Sequence, residues 1–172
     1  MDNKKVKKFL QDRVEHVHTF SFFMTGNNIE ALQLTETTFQ QFFLKFDEIP
    51  SPREASFHLI NILLKHAKIR EPEPDKFLEP QAKPGKNLFD QTVKEHIELI
   101  KTPPFQRIFT KILIKLPLEL KIPVILRDTL GFEYRDIAII LGIPETTLGY
   151  RLAQARGLLI DALRSEPAIP FH

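Results

Sequence analysis

The spacing of Ala138, Gly142 and Leu148 constrains the fold more than any other feature of the chain. Two short helices that cross steeply need a small residue at their contact, a turn residue shortly after it, and an apolar anchor early in the second helix. Those three residues supply these in order. Ile137, Ala138, Ile140 and Leu141 share one face at helical spacing, and Leu148, Leu152, Ala155 and Leu159 make the next stripe. Gly142 permits the tight turn and Pro144 stands where a helix can begin. The pattern predicts a helix-turn-helix whose second helix is free to enter a major groove. A helical hairpin inside a bundle would share the hydrophobic period.

A lead helix precedes this pair. After Pro117, apolar residues recur at Leu120, Val124, Ile125 and Leu130, with Lys121, Arg127 and Asp128 between them as its polar positions. Gly131 is placed to end that helix, because glycine takes a left-handed cap without steric cost. The run LPLELKIPVILRDTLGFEYRDIAIILGIPETTLGYRLAQAR closely resembles region 4 of the extracytoplasmic-function sigma factors. The resemblance is carried by Leu126-Arg127-Asp128, Gly131-Phe132, Ile137-Ala138, Leu141-Gly142-Ile143-Pro144, Thr147-Leu148, Arg151-Leu152 and Ala155-Arg156. It implies a bacterial protein that binds core RNA polymerase and reads the upstream promoter element.

The chain has 172 residues, 42% of them apolar, which is enough for one domain or two small ones with a real core. It contains no cysteine, so disulfides and thiolate metal sites are excluded and a reducing cytoplasm is the expected setting. No apolar run has the length of a membrane span, so no membrane insertion is expected. The basic start, MDNKKVKKFLQDRV, lacks the apolar core of a secretory signal. A net charge of +2 is low for a protein that binds DNA by electrostatics alone. It fits DNA contact made as part of a larger assembly.

In chain order, residues 4–25 read as a helix with Val6, Phe9, Leu10, Val14, Val17 and Phe20 on one face. The lysine pairs Lys4-Lys5 and Lys7-Lys8 read as a solvated helix end. Thr25-Gly26-Asn27-Asn28 signals a turn. A second helix is predicted over 29–47, with Ala31, Leu34, Phe39, Phe42, Phe43 and Phe46 as its apolar side. Pro50-Ser51-Pro52 breaks the chain, and a third helix is predicted over 53–69, with Phe57, Leu59, Ile60, Leu63, Leu64 and Ala67. His58 and His66 lie two turns apart in it without an acidic or thiolate partner, so they read as ordinary surface or core histidines rather than metal ligands.

This block resembles region 2 of the same family, with departures. Glu30, Ala31 and Leu34 fit the family's acidic motif, and Thr38 and Phe39 fit the positions after it. Leu32 and Gln33 stand where the family has two further acids, Glu36 replaces a glutamine, and the third helix lacks the family's tryptophan. An apolar Leu32 offers neither charge nor hydrogen bond for gripping polymerase. The resemblance assigns Glu30 and Glu36 to polymerase binding and Lys65, Lys68 and Arg70 to DNA contact.

From Glu71 to Lys86 the composition changes to EPEPDKFLEPQAKPGK, where Pro72, Pro74, Pro80 and Pro84 forbid a continuous helix. This reads as an extended linker. Beyond it, residues 87–99 read as a short helix, Phe105–Leu116 as another with Phe105, Ile108, Phe109, Ile112 and Leu113 buried, and the tail from Ser165 as irregular. The expected architecture is all-α: a region 2-like domain over 1–70, a Pro-rich linker over 71–86, and a region 4-like helix-turn-helix domain over 87–172.

On the second helix of the motif, Thr147, Tyr150, Arg151 and Gln154 are the expected DNA contacts; the resemblance supports Thr147 and Arg151 most directly. Gly149 and Gln154 stand where the family is often basic. From Glu133 to Arg164, Arg135, Arg151, Arg156 and Arg164 balance Glu133, Asp136, Glu145 and Asp161, so the local charge is zero. Arg156 reads as a structural residue whose stem packs along the domain. No nucleophile–base set, phosphate loop or carboxylate pair is found, so no enzymatic activity, metal or cofactor is expected. The expected function is a sigma factor that directs promoter-specific initiation, with core polymerase, promoter DNA and an anti-sigma factor as implied partners. The eroded acidic motif and neutral reading face leave a sigma mimic that occupies an anti-sigma factor as the alternative. A conventional helix-turn-helix regulator is a third.

Overall fold

The computed structural model describes residues 3–67 and 102–168. The chain divides into two compact units, Met1–Pro72 and Glu73–His172. Every described element is helical. The expected linker, the short helix over 87–99, Lys68 and Arg70 lie outside the described residues.

The first unit contains α1 (Asn3–Thr25), α2 (Asn28–Phe43), a 3₁₀ turn (Phe46–Glu48) and α3 (Pro52–Ala67). Asn27 starts α2: its Oδ1 accepts from the Ile29 and Glu30 N–H groups at 2.8 and 3.3 Å, meeting two of the donors that a helix start leaves unpaired. Phe9, Val17, Phe20 and Met24 of α1 are buried, with Ala31, Leu34 and Phe42 of α2 and Leu59, Ile60, Leu63 and Leu64 of α3. Phe42 is the hub, its ring 5.9 Å from Phe9, 5.4 Å from Phe46 and 6.0 Å from His58. The ring offset and edge contacts add to the area these side chains bury.

Between α1 and α2 the contact is narrow and polar at one point. Ser21 and Thr35 are buried there with their hydroxyls 3.3 Å apart. Each also donates to the carbonyl one turn back, Ser21 to Val17 and Thr35 to Ala31, both at 2.7 Å. The hydroxyls are thus satisfied within their own helices while the small side chains let the helices approach.

Two sequence expectations for this unit fail. Val14, placed on the apolar face of α1, is 48% exposed. It stands three residues before Val17 and four after Leu10, but the face that meets α2 and α3 runs through Phe9, Val17, Phe20 and Met24 instead. Phe43 is likewise exposed, because α2 ends there and the 3₁₀ turn carries Phe46 back toward Phe42. The predicted single helix over 29–47 is therefore two elements.

The second unit contains α4 (Pro103–Lys115), α5 (Leu118–Val124) running into a π turn (Ile125–Thr129), α6 (Tyr134–Leu141) and α7 (Glu145–Arg164). Its centre is α5. Every residue from Leu120 to Leu126 is buried, where the sequence suggested one apolar face. A helix covered on all sides must satisfy any charge it carries, and Lys121 does so. It is 1% exposed, and its Nζ donates to the Ile114 carbonyl at 2.7 Å near the end of α4. Lys121, which lies between the apolar positions of the stripe, is thus a core residue. The cation sits against the carbonyl end of a helix, where the backbone dipole favours it.

The predicted lead helix widens before it ends. The Leu130 N–H reaches the Ile125 carbonyl at 2.9 Å, a five-residue step, and the Phe132 N–H returns to the Leu126 carbonyl at 2.9 Å around Gly131. Gly131 has φ 71, the left-handed conformation that glycine takes freely. Gly142 does the same at the end of α6, with φ 64. Its N–H reaches the Ile139 carbonyl, and the Ile143 N–H closes on Ala138 at 3.1 Å. The helix-turn-helix is thereby fixed: Ala138 lies buried at the crossing and Leu148 is fully buried beneath the start of α7. At the other end of α7, Leu163 joins Phe105 of α4, with Ile108, Phe109 and Ile112 packed around them.

A forked ion pair ties α7 to the π turn. Arg156 donates through Nε to Asp128 Oδ2 at 3.0 Å and through Nη2 to Oδ1 at 2.6 Å. Both side chains are about four-fifths covered, at 22% and 19% exposed. Arg156 is structural, as its sequence context suggested, but it acts by a guanidinium–carboxylate fork as well as by its stem.

Two measurements test this account of the second unit. Arg156→Ala should destabilise it by about 1–2 kcal/mol in denaturant unfolding, the scale of a charge-assisted pair with two hydrogen bonds. The effect should be largely absent in an Asp128→Ala background, as expected for residues that act as one pair. Lys121→Ala should cost about 2 kcal/mol or more, since it empties a packed site and removes the donor to the Ile114 carbonyl. Lys121→Met, which keeps the stem, should cost less.

Candidate nucleic-acid interface

The second helix of the motif, α7, presents three kinds of surface. Leu148, Leu152 and Ala155 are buried against the unit. Thr146, Tyr150 and Ala153, spaced by four and three residues, are exposed along the opposite side. Thr147, Gly149, Arg151 and Gln154 lie at intermediate exposure on the flanks between them. Tyr150 is 62% exposed and is the large side chain of the outward stripe.

Arg151 does not stand on that stripe. At 100° per residue it falls on the flank nearer the buried side. There its Nη2 lies 3.9 Å from Oε2 of Glu119, in the first turn of α5. Glu119 was not foreseen as part of this surface. The two residues are distant in the chain, and no local pattern links the start of one helix to the flank of another.

The other arginines nearby also serve the scaffold. Arg127 donates to the Phe132 carbonyl at 2.8 Å, lies 3.4 Å from the Glu133 carboxylate, and has its guanidinium 5.3 Å from the centre of the Tyr134 ring. These contacts hold the segment that leads into α6. Arg156 is engaged by Asp128. Arg135 and Arg164 are exposed, as are the acids Glu133, Glu145 and Asp161. The neutral charge balance read from the sequence therefore becomes a spatial statement. Over the first turns of α7 the stripe of Thr146, Tyr150 and Ala153 carries no charge, the exposed Asp161 and Arg164 lie toward the far end of the helix, and the cation beside the stripe is drawn toward α5.

Gly149 is open in space. A Cβ built on it would meet nothing within 4 Å, so neither packing nor backbone conformation requires glycine there. The helix forgoes the propensity of a side-chain-bearing residue and gains an unobstructed backbone beside Tyr150.

In the first unit, the residues assigned to polymerase and DNA lie on separate helices. Glu30 and Glu36 are exposed on α2, and Gln40 donates to the Glu36 carboxylate at 3.2 Å. Lys65 is exposed in the last turn of α3. Ile29 and Leu32 are exposed on the same helix as the two acids, at 69% and 59%. His58 belongs to the Phe42 cluster rather than to any ligand set.

These features have counterparts among known proteins. Residues 106–159 match the family model described as sigma-70, region 4. That span runs from within α4 into α7 and includes α6, the turn and the first part of α7. No curated protein matches the chain. Among solved structures, the chain is similar to the sigma factor RpoE from Bartonella quintana, crystallised in complex with the anti-sigma factor NepR. The TM-score is 0.66 with 19% identity, over 95% of this chain and 99% of that one. Among the described residues no helix is long and apolar enough to cross a membrane. Residues 106–159 thus match the sigma-70 region 4 model, and the chain shares its fold with that sigma factor.

Proposed function

We propose that this chain acts as a sigma factor, directing promoter-specific initiation by binding core RNA polymerase and reading an upstream promoter element with α7. The observation that carries the reading is the exposed outer face of α7, held by Ala138, Gly142 and Leu148 inside a region 4 match. A helix presented in this way fits the major groove. Tyr150 faces outward to the bases, Thr147 and Gln154 reach the groove walls from the flank, and Arg151 serves a phosphate. Glu30 and Glu36 on α2 contact polymerase; Lys65, with Lys68 and Arg70 beyond it in sequence, contacts DNA. The chemistry of transcription belongs to polymerase, and this chain supplies recognition alone.

The low charge of the reading face matters for this division of labour. Phosphate neutralisation supplies most of the affinity of a free-standing DNA binder. With Arg151, Arg156 and Arg127 paired to Glu119, Asp128 and Glu133, the second unit depends on polymerase to hold it at the promoter. A second reading is a sigma mimic that binds an anti-sigma factor in place of a true sigma factor. The exposed Leu32, where the resembling family has an acid, favours it. An anti-sigma factor is a partner under either reading.

Transcription with purified core polymerase separates the two. Promoter-specific product from the chain plus core is expected; failure to bind core would remove the sigma reading and leave the mimic. Within the active complex, Arg151→Ala should weaken upstream binding similarly on all sequences. It should also lower the slope of log affinity against log salt by about one, as for the loss of one phosphate contact. An unchanged slope would show that Arg151 does not reach a phosphate.

A further inference from the structure

The outward face of α7 has a chemistry that selects among bases. A guanine is read best by a guanidinium or ammonium placed over its major-groove edge, and an adenine by a carboxamide. Neither group stands on the exposed stripe of Thr146, Tyr150 and Ala153. Arg151 is on the flank with Glu119, and Gln154 is partly covered. The stripe offers instead a methyl-bearing threonine, an alanine and a large ring that is 62% exposed. Beside the ring, Gly149 leaves space free of side-chain atoms. That gap lets the helix backbone and the face of the ring come close to the groove floor, where a side chain at 149 would hold them off. Of the groups on a major-groove edge, the thymine C5-methyl is the one that apolar carbon recognises.

We propose that Tyr150 is a specificity-determining residue, reading thymine methyl groups in the upstream element through its ring, with Gly149 providing the close approach. This rests on the reading of α7 as the promoter-contacting helix, and it goes further by naming the chemical group recognised. Contact with guanine through Arg151 is the competing arrangement. It would require Arg151 to leave Glu119 and swing from the flank to the stripe.

The test uses the full chain assembled with core polymerase. Duplexes are selected from a promoter library randomised in the upstream element, and the bound sequences are resynthesised with deoxyuridine in place of thymidine, which removes only the methyl group. Selected sequences should contain fixed thymines. Each critical methyl removed should weaken binding about fourfold, the worth of burying one carbon. Tyr150→Ala should weaken binding to thymine duplexes and abolish the difference between thymine and uracil. Tyr150→Phe should retain that difference, since the ring and not the hydroxyl carries it. Gly149→Ala should leave the fold intact and shrink the thymine preference.

A uracil substitution without effect would overturn the inference. So would a thymine preference that survives Tyr150→Ala, or a selected element whose fixed guanines depend on Arg151. If the assembled complex selects no upstream sequence, the reading of α7 as a promoter reader falls and this inference falls with it. That result appears before any uracil duplex is made, so the two failures are distinguishable.

Discussion

The second unit depends on the burial of one short stretch on every side. From Leu120 to Leu126 no residue reaches solvent to more than a trace, and the stretch serves as the post against which α7 is set, while α4 packs on α7. Such a segment fixes its neighbours because no rotation about its axis would leave the same atoms covered. The single charge inside it, Lys121, reinforces this constraint. Burying an ammonium is costly unless it is paired, and its pairing with the Ile114 carbonyl ties the end of α4 to α5. The Asp128–Arg156 fork then fixes α7 against the π turn that continues the same stretch. The post is thus linked by a polar contact to the helix before it and to the helix that carries the reading face.

The use of arginines within the scaffold shapes what the surface can do. An arginine that holds two helices together has its donors directed at protein carboxylates and carbonyls. Arg127 and Arg156 are used in this way, and Arg151 is drawn toward Glu119. By residue type the motif carries as many acids as arginines, and the stripe of Thr146, Tyr150 and Ala153 that faces outward is uncharged. Under the proposed function, affinity for DNA comes from elsewhere in a larger assembly, and the stripe serves discrimination. Separating affinity from discrimination in this way is physically coherent, because phosphate contacts position a protein and base contacts specify sequence.

In the first unit the aromatic cluster around Phe42 does the work of a core, and the Ser21–Thr35 contact sets how closely α1 and α2 approach. The same helix that buries Ala31, Leu34 and Phe42 exposes Ile29 and Leu32 beside Glu30 and Glu36. A partner surface that meets this face encounters apolar and acidic groups side by side.

What the sequence determined by itself was local and periodic. Gly131 and Gly142 end helices because a left-handed backbone favours glycine, and Ala138 and Leu148 suit a helix crossing because of size and spacing. Asn27 caps α2 because a side-chain carbonyl can reach N–H groups two and three residues on. These are near-neighbour effects, and they extend to the all-helical class. The tertiary structure decided what depends on residues distant in the chain. Periodicity made Val14 a core position and packing exposed it, and it left Lys121 between apolar positions where packing buried it, since burial depends on which neighbours arrive and not on spacing alone. The pairing of Arg151 with Glu119, and of Arg156 with Asp128, joins helix flanks that no local pattern connects. The identity of the residues on α7 was legible in the sequence. Which of them faces outward, and with what charge, was fixed only when α5 took its place beneath them.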